Sequence, residues 1–183
     1  MEGLTILDVQ IDEKFYVPES IILKGLKFKV KKGEIVSITG PSGCGKTTLL
    51  NLLAGLDTNF KGIVAKNFDQ VTATHDIGMV FQQPRLMPWL TAIDNLLLVM
   101  KGDRQQNLEV CEQKLTQVGL EDARNYFPHQ MSGGMQRRLS MARAFVIEPP
   151  ILLLDEPFIS IDLATHQTPV SYTHLTLPTI LLV

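Results

Sequence analysis

The sequence predicts an α/β fold with a helical insertion in its middle, and three observations carry that expectation. Short apolar runs of strand character alternate with helical segments along the chain, the pattern of a sheet covered by helices. A glycine-rich loop, GPSGCGKTT (residues 40–48), lies between an apolar β-branched run and a leucine-rich segment. A second apolar run, Ile151–Leu154, ends directly in Asp155 and Glu156, and open α/β sheets bind ligands at such carboxyl edges.

The elements follow in order. LTILDVQI (Leu4–Ile11) and IILKGLKFKV (Ile21–Val30) read as strands. Leu26, Phe28 and Val30 alternate with Lys27, Lys29 and Lys31, which gives a sheet one wet face. After the KKGE turn, EIVSITG is a short strand of the buried kind. TTLLNLLAGL is a helix with Leu49, Leu50, Leu52, Leu53 and Leu56 available for packing and Gly55 near its end. IGMVFQ (Ile77–Gln82) is another strand, and Pro84 to Arg124 is mainly helical, within a helical subdomain at about residues 84–145. A helix starting near Ser132 closes before Pro149 and Pro150, and Ile151–Leu154 is again a buried strand.

Composition bounds the function. The 183 residues are 45% hydrophobic and 20% charged, a globular balance of one domain or slightly more. A formal net charge of −2 gives no electrostatic case for a nucleic-acid partner. Apolar runs such as Leu96–Val99 are far too short to span a bilayer. The start, MEGLTILDV, has no basic region before an apolar stretch, so no secretion signal is expected. Two cysteines, Cys44 and Cys111, imply no disulfide framework and point to a reducing cytoplasm.

Gly40, Pro41, Ser42, Gly43, Cys44, Gly45, Lys46 and Thr47 fit G-x-x-x-x-G-K-[ST], with Thr48 continuing into the helix. Glycines let the backbone curl so that its N–H groups point at phosphate oxygens, and the helix N-terminus adds its positive dipole end. Lys46 then reaches the β- and γ-phosphates, and Thr47 can ligate magnesium. The apolar run before Asp155 and Glu156 supplies the other half: Asp155 to hold magnesium, Glu156 to act as general base on the attacking water.

MSGGMQRRLSMARAF (Met131–Phe145) holds a second anion site, because Ser132 is a good N-cap and Gly133 and Gly134 leave the first amides uncovered. It has no lysine or magnesium ligand of its own and reads as half a site that completes another. Here the chain closely resembles the ATP-binding subunits of ABC transporters, over about residues 4 to 163. That resemblance implies an ATPase with the ABC ATPase fold: a P-loop NTPase core with an antiparallel β subdomain and the helical subdomain. It implies ATP and Mg2+ as cofactors, and a head-to-tail homodimer in which Ser132, Gly133 and Gly134 cap the γ-phosphate bound by the opposite subunit. Gln82 matches the glutamine that senses magnesium and the attacking water, and Asp162 matches the D-loop aspartate that crosses the dimer interface. An aromatic near Tyr16 normally stacks on adenine; Phe15 is adjacent, and simple sheet packing is open for either.

VFQQPRLMPWLTAIDNLLL, with MSGGMQRR and DEPFISID, resembles importers of the nitrate, sulfonate and taurine class. The resemblance implies a subunit peripheral on the cytoplasmic face of the cell membrane. It would drive transmembrane permease subunits and, indirectly, depend on a solute-binding protein. Leu86, Met87, Pro88 and Trp89 would line a groove for a helix of the permease, core packing being the rival for Trp89. Two other readings are a nucleotide-dependent dimerisation module with little turnover and a non-importer ABC ATPase. DNA-repair relatives lack support, since no coiled-coil insertion or basic surface is seen.

The pattern breaks after Asp162. None of the 17 basic and 19 acidic residues falls in Ala164–Val183. The family would continue with an amphipathic helix, a strand and a switch histidine; His166 and His174 lie too close to the D-loop to serve. The ATPase domain is therefore expected over residues 1–166, incomplete at its C-terminus. A non-native tail over residues 167–183, with no strand period, would leave a central strand without its neighbour.

Overall fold

A computed structural model describes residues 3–17, 20–67, 76–156 and 179–182. β1 (Thr5–Val17) forms a hairpin with β2 (Ser20–Lys31), and β4 (Lys61–Lys66) pairs on the other side of β1. All pairings in this sheet are antiparallel, with Val9 opposite both Phe28 and Val64. Its alternation sends Leu7, Val9, Ile11 and Val30 into the core, Ile6 joins them at the register shift between Thr5 and Leu7, and Lys27 and Lys29 stay exposed. The sequence alternation at residues 26–31 thus marks a half-wet sheet. β4 was not expected from the sequence. Gly62 enables it, since a Cβ there would lie 2.1 Å from the Gln10 carbonyl oxygen.

The second sheet is parallel, in the order β3 (Ile35–Ser37), β7 (Thr179–Leu182), β6 (Ile151–Leu154), β5 (Ile77–Val80). All four residues of β6 are buried, as a strand covered on both faces should be. β7 corrects two expectations: residues 179–182 form a strand, and β6 has a neighbour on each side. Period failed there because a strand of four residues is too short to show an alternation.

Helix α1 (Lys46–Ala54) fills the space between the sheets. Its Leu49, Leu50, Leu52 and Leu53 share one core with Ile6 to Ile11 of β1 and with Ile151, Leu153 and Leu181. Burying each of these leucines stabilises the fold by roughly 1.5–3 kcal/mol before entropic costs. Gly55 ends the helix in the left-handed conformation, at φ 74°.

The insertion comprises α2 (Ala92–Leu97), α3 (Arg104–Gln117) and α4 (Gly133–Phe145), which share a core of Leu96, Cys111, Leu115, Leu139 and Ala142. Thr91, Asp103 and Ser132 cap their N-termini through side-chain oxygens. The opposite side of α4 packs through Ala144, Met141 and Phe145 on Val80, Leu152 and Leu154. Hence α4 joins the insertion to the parallel sheet.

Candidate functional site

The site lies at the carboxyl edge of the parallel sheet. β3 leads into the glycine loop, where Gly43 (φ 79°) and Gly45 (φ 97°) take left-handed conformations that a side chain would resist. Gly45 is also pressed against β2: a Cβ there would stand 2.9 Å from Ile22 Cγ2 and 3.3 Å from the Ile22 carbonyl oxygen. As N-cap of α1 it brings no side-chain cap, so the first amides of the helix remain available to an anion. The Lys46 ammonium curls back over the loop and donates to the carbonyls of Gly40 (3.0 Å) and Pro41 (3.1 Å).

The two halves of the expected site meet. The Thr47 hydroxyl donates to Asp155 Oδ1 at 3.3 Å, although the residues are far apart in sequence. Asp155 is buried, and burial pushes its carboxyl above the ordinary value, opposed by the bond from Thr47. Its amide donates to the Val80 carbonyl at 2.9 Å, continuing the β5–β6 ladder beyond the strand.

Glu156 and Gln82 are also brought together, with Gln82 Nε2 donating to Glu156 Oε2 at 2.5 Å. Glu156 has φ 48°, an unfavourable conformation for a residue with a side chain. Arg137 of α4 secures this corner by donating to the carbonyls of Gln82 (3.1 Å) and Glu156. Arg137 was missed in the sequence, because nothing in a helical run of two arginines says which one reaches the sheet edge.

The segment expected to hold a second anion stands apart. Ser132 Oγ accepts from the Met135 amide at 3.2 Å and so caps its own helix. Among the described residues no hydrogen bond ties Ser132, Gly133 or Gly134 to the glycine loop. Asp162, His166 and His174 lie outside the described residues, as does the chain from 157 to 178.

The segment after Gln82 is held from beneath. Arg143 donates to the carbonyls of Pro84 (3.2 Å) and Arg85 (3.0 Å). Buried Asn95 accepts from the Met87 amide and donates to the carbonyls of Met87, Leu90 and Thr91. On this frame Trp89 is 70% exposed, which excludes core packing for it. Leu86 packs against the helical core, Met87 is half-buried and Pro88 exposed.

At the turn end of the β1–β2 hairpin, Tyr16 is 58% exposed and Phe15 half-buried. Lys14, two residues earlier, is fully buried and was also missed. A register shift between Ile11 and Glu13 against β4 changes the phase of β1 before residue 14. The inward positions 7, 9 and 11 therefore do not extrapolate to residue 14.

The chain is similar to known proteins in sequence and in fold. A model of the family described as ABC transporter matches residues 23–159. An aliphatic sulfonates import ATP-binding protein of Burkholderia cenocepacia (strain HI2424) is 40% identical over 165 residues, covering 88% of this chain and 60% of that protein. A bicarbonate transport ATP-binding protein of Synechocystis sp. is 44% identical over 154 residues, covering 81% of this chain and 23% of that protein. The chain thus spans about 60% of the length of the sulfonate-import relative. A solved ATP-binding cassette, dimeric in a post-hydrolysis state bound to ADP and Pi, superposes with a TM-score of 0.73. It is 33% identical, and the match covers 86% of this chain and 76% of that one.

Proposed function

Because the chain belongs to the ABC transporter family, we propose that it is an ATP-binding and ATP-hydrolysing subunit driving import of a small anion such as nitrate, a sulfonate or taurine. The observation that carries this reading is the meeting of Thr47 with Asp155 and of Gln82 with Glu156 beside an uncapped helix N-terminus. The residues fit the nucleotide. The amides at the start of α1 would receive its phosphates, and Lys46 would exchange the carbonyls of Gly40 and Pro41 for phosphate oxygens.

Thr47 and Asp155 also fit magnesium, a hard hydroxyl and a carboxylate, which suits an ion that otherwise uses water and phosphate oxygens. When bound, the ion supplies charge neutralisation on the phosphates. Ionised Asp155 would leave the hydroxyl of Thr47 for the metal. Glu156 would take a proton from the attacking water, and Gln82, bonded to the same carboxylate, would orient both. The exposed amides at Ser132–Gly134 would serve the nucleotide of a second copy, paired head to tail. Permease subunits would dock near Trp89, placing the protein peripherally on the cytoplasmic face of the membrane; a solute-binding protein would act indirectly.

No described helix is long and apolar enough to cross a membrane. The sulfonate and bicarbonate importers among the relatives support a small-anion solute. The test is binding and turnover in parallel. Lys46→Ala should abolish MgATP binding, while Glu156→Gln should retain binding and lose at least ~100-fold in hydrolysis, the scale of a removed general base. Equal turnover in wild type and Glu156→Gln would reject the hydrolytic role; unchanged affinity in Lys46→Ala would reject the loop as the nucleotide site.

A further inference from the structure

Lys14 is an unusual side chain for the middle of a sheet. It is fully buried, yet it carries an ammonium with three contacts. The Nζ pairs with Asp57 Oδ2 at 2.7 Å, donates to the Asn59 carbonyl at 2.7 Å, and stands 4.4 Å from the centroid of the Tyr16 ring. A lysine is almost never taken fully out of water unless it is paired. The pairing explains how this one is tolerated, but not why it points at an aromatic ring that is itself more than half exposed.

Position gives the reason. Lys14 lies opposite Leu23 in the hairpin, and Phe15 opposite Ile21. Ile22 and Leu23 are the residues against which Gly45 of the glycine loop is pressed. The Lys14–Tyr16 pair therefore sits on the part of the β1–β2 hairpin that abuts the phosphate loop. Asp57 and Asn59 follow α1, the helix that starts at that loop. One ammonium thus joins the hairpin to the far end of the phosphate-binding helix and covers one face of Tyr16.

We propose that Lys14 is a positioning residue for adenine: it holds the Tyr16 ring from one face and leaves the other face for the base. This rests on the reading of the protein as an ATP-binding subunit, and it selects Tyr16 over Phe15 as the stacking aromatic. The cation occupies one π-face and draws ring density toward itself, so the ring has a fixed tilt and one free face. The ion pair supports the arrangement, because the Asp57 carboxyl is held below its ordinary range, first by the hydrogen bond from Lys14. Phe15 has no such support among the described contacts.

The test compares MgATP with inorganic tripolyphosphate, which has phosphates but no base, on the wild-type chain and single variants by calorimetry. Tyr16→Leu should weaken MgATP about tenfold and leave tripolyphosphate unchanged, as expected for one stacked base. Lys14→Met should weaken MgATP about fivefold with tripolyphosphate unchanged, and Lys14→Arg should retain most of the affinity, since it keeps the cation on the ring. If Lys14→Met does not fold, Asp57→Asn removes the anchor at a half-buried site and should give the same base-specific loss. Unchanged MgATP binding in Lys14→Met, or equal losses for both ligands, would overturn the proposal and leave Lys14 a structural cation. If Tyr16→Leu binds MgATP normally, the adenine site itself has been misplaced. Loss of tripolyphosphate binding by the wild type would instead tell against the phosphate loop.

Discussion

Asp155 shows at the residue scale how the site is held at a cost to the fold. Asp155 is buried, and burial, with the charge of Glu156, displaces its carboxyl upward by more than the bond from Thr47 and the charges of Lys46 and Arg85 lower it. For an acid whose folded pKa is raised, the native state holds its proton more tightly than the unfolded chain. The penalty is absent at pH below the unfolded value near 3.8, grows as pH rises through the interval up to the folded value, and is complete above it. Asp155→Asn should therefore stabilise the nucleotide-free protein at pH 7 by about 1 kcal/mol, a rise in Tm of about 2–5 °C. The gain should vanish near pH 3.5, and the same variant should lose magnesium-dependent ATP binding. Thermal melts at the two pH values, with and without MgATP, check each part; a lower Tm at pH 7 would show that Asp155 is fully compensated.

At the scale of elements, α4 has two jobs within its first two turns. Its first turn displays Ser132, Gly133 and Gly134, and one turn on, Arg137 holds the backbone of Gln82 and Glu156. Because α4 packs on β5 and β6 through Ala144 and Met141, it ties the position of Ser132–Gly134 to that of Gln82 and Glu156. Ser132→Arg should leave MgATP binding to the monomer within about twofold, because no described hydrogen bond ties Ser132 to the loop of the same chain, while its bulk and charge should block the proposed ATP-dependent pairing. Its loss as an N-cap should cost about 1 kcal/mol of stability. Light scattering with the Glu156→Gln background, in which ATP would persist, reads the pairing. Lost monomer binding would place both phosphate grips in a single cis site.

The whole molecule depends on a strand that comes late in the chain. β7 lies between β3 and β6, so the sheet that carries both the glycine loop and the acidic pair is closed through Ile180 and Leu181. Leu181 is fully buried in the core shared by β1 and α1. The Thr179 hydroxyl adds a tie to the first sheet, accepting from the Gly33 amide at 3.0 Å and donating to the Lys31 carbonyl at 3.2 Å. Leu181→Asp should therefore destabilise by more than ~4 kcal/mol, through an unpaired buried charge and lost packing. In a protein of ordinary stability this would send most of the chain to the insoluble fraction. Soluble, ATP-binding Leu181→Asp would mean that β7 is not required for the sheet.

Gln82 was named only through the family resemblance, but the α/β class, the glycine loop, the helix start at Ser132 and the acidic pair after an apolar run were legible in the residues themselves. Each is set by local requirements: glycines where the backbone must turn, an N-cap where a helix starts, and apolar residues feeding a polar end. What sequence could not supply was distance. That Thr47 meets Asp155, that Arg137 rather than Arg138 reaches the edge of the sheet, and that Trp89 faces solvent depend on contacts between residues far apart in the chain. β4 and β7 escaped for a related reason, since their short runs become strands only when β1, β3 and β6 offer edges to pair with. Lys14 is the clearest case. Its charge argues for solvent at every local level, and only the register shift between Ile11 and Glu13, together with Asp57 and Asn59 arriving from the end of α1, makes its burial stable.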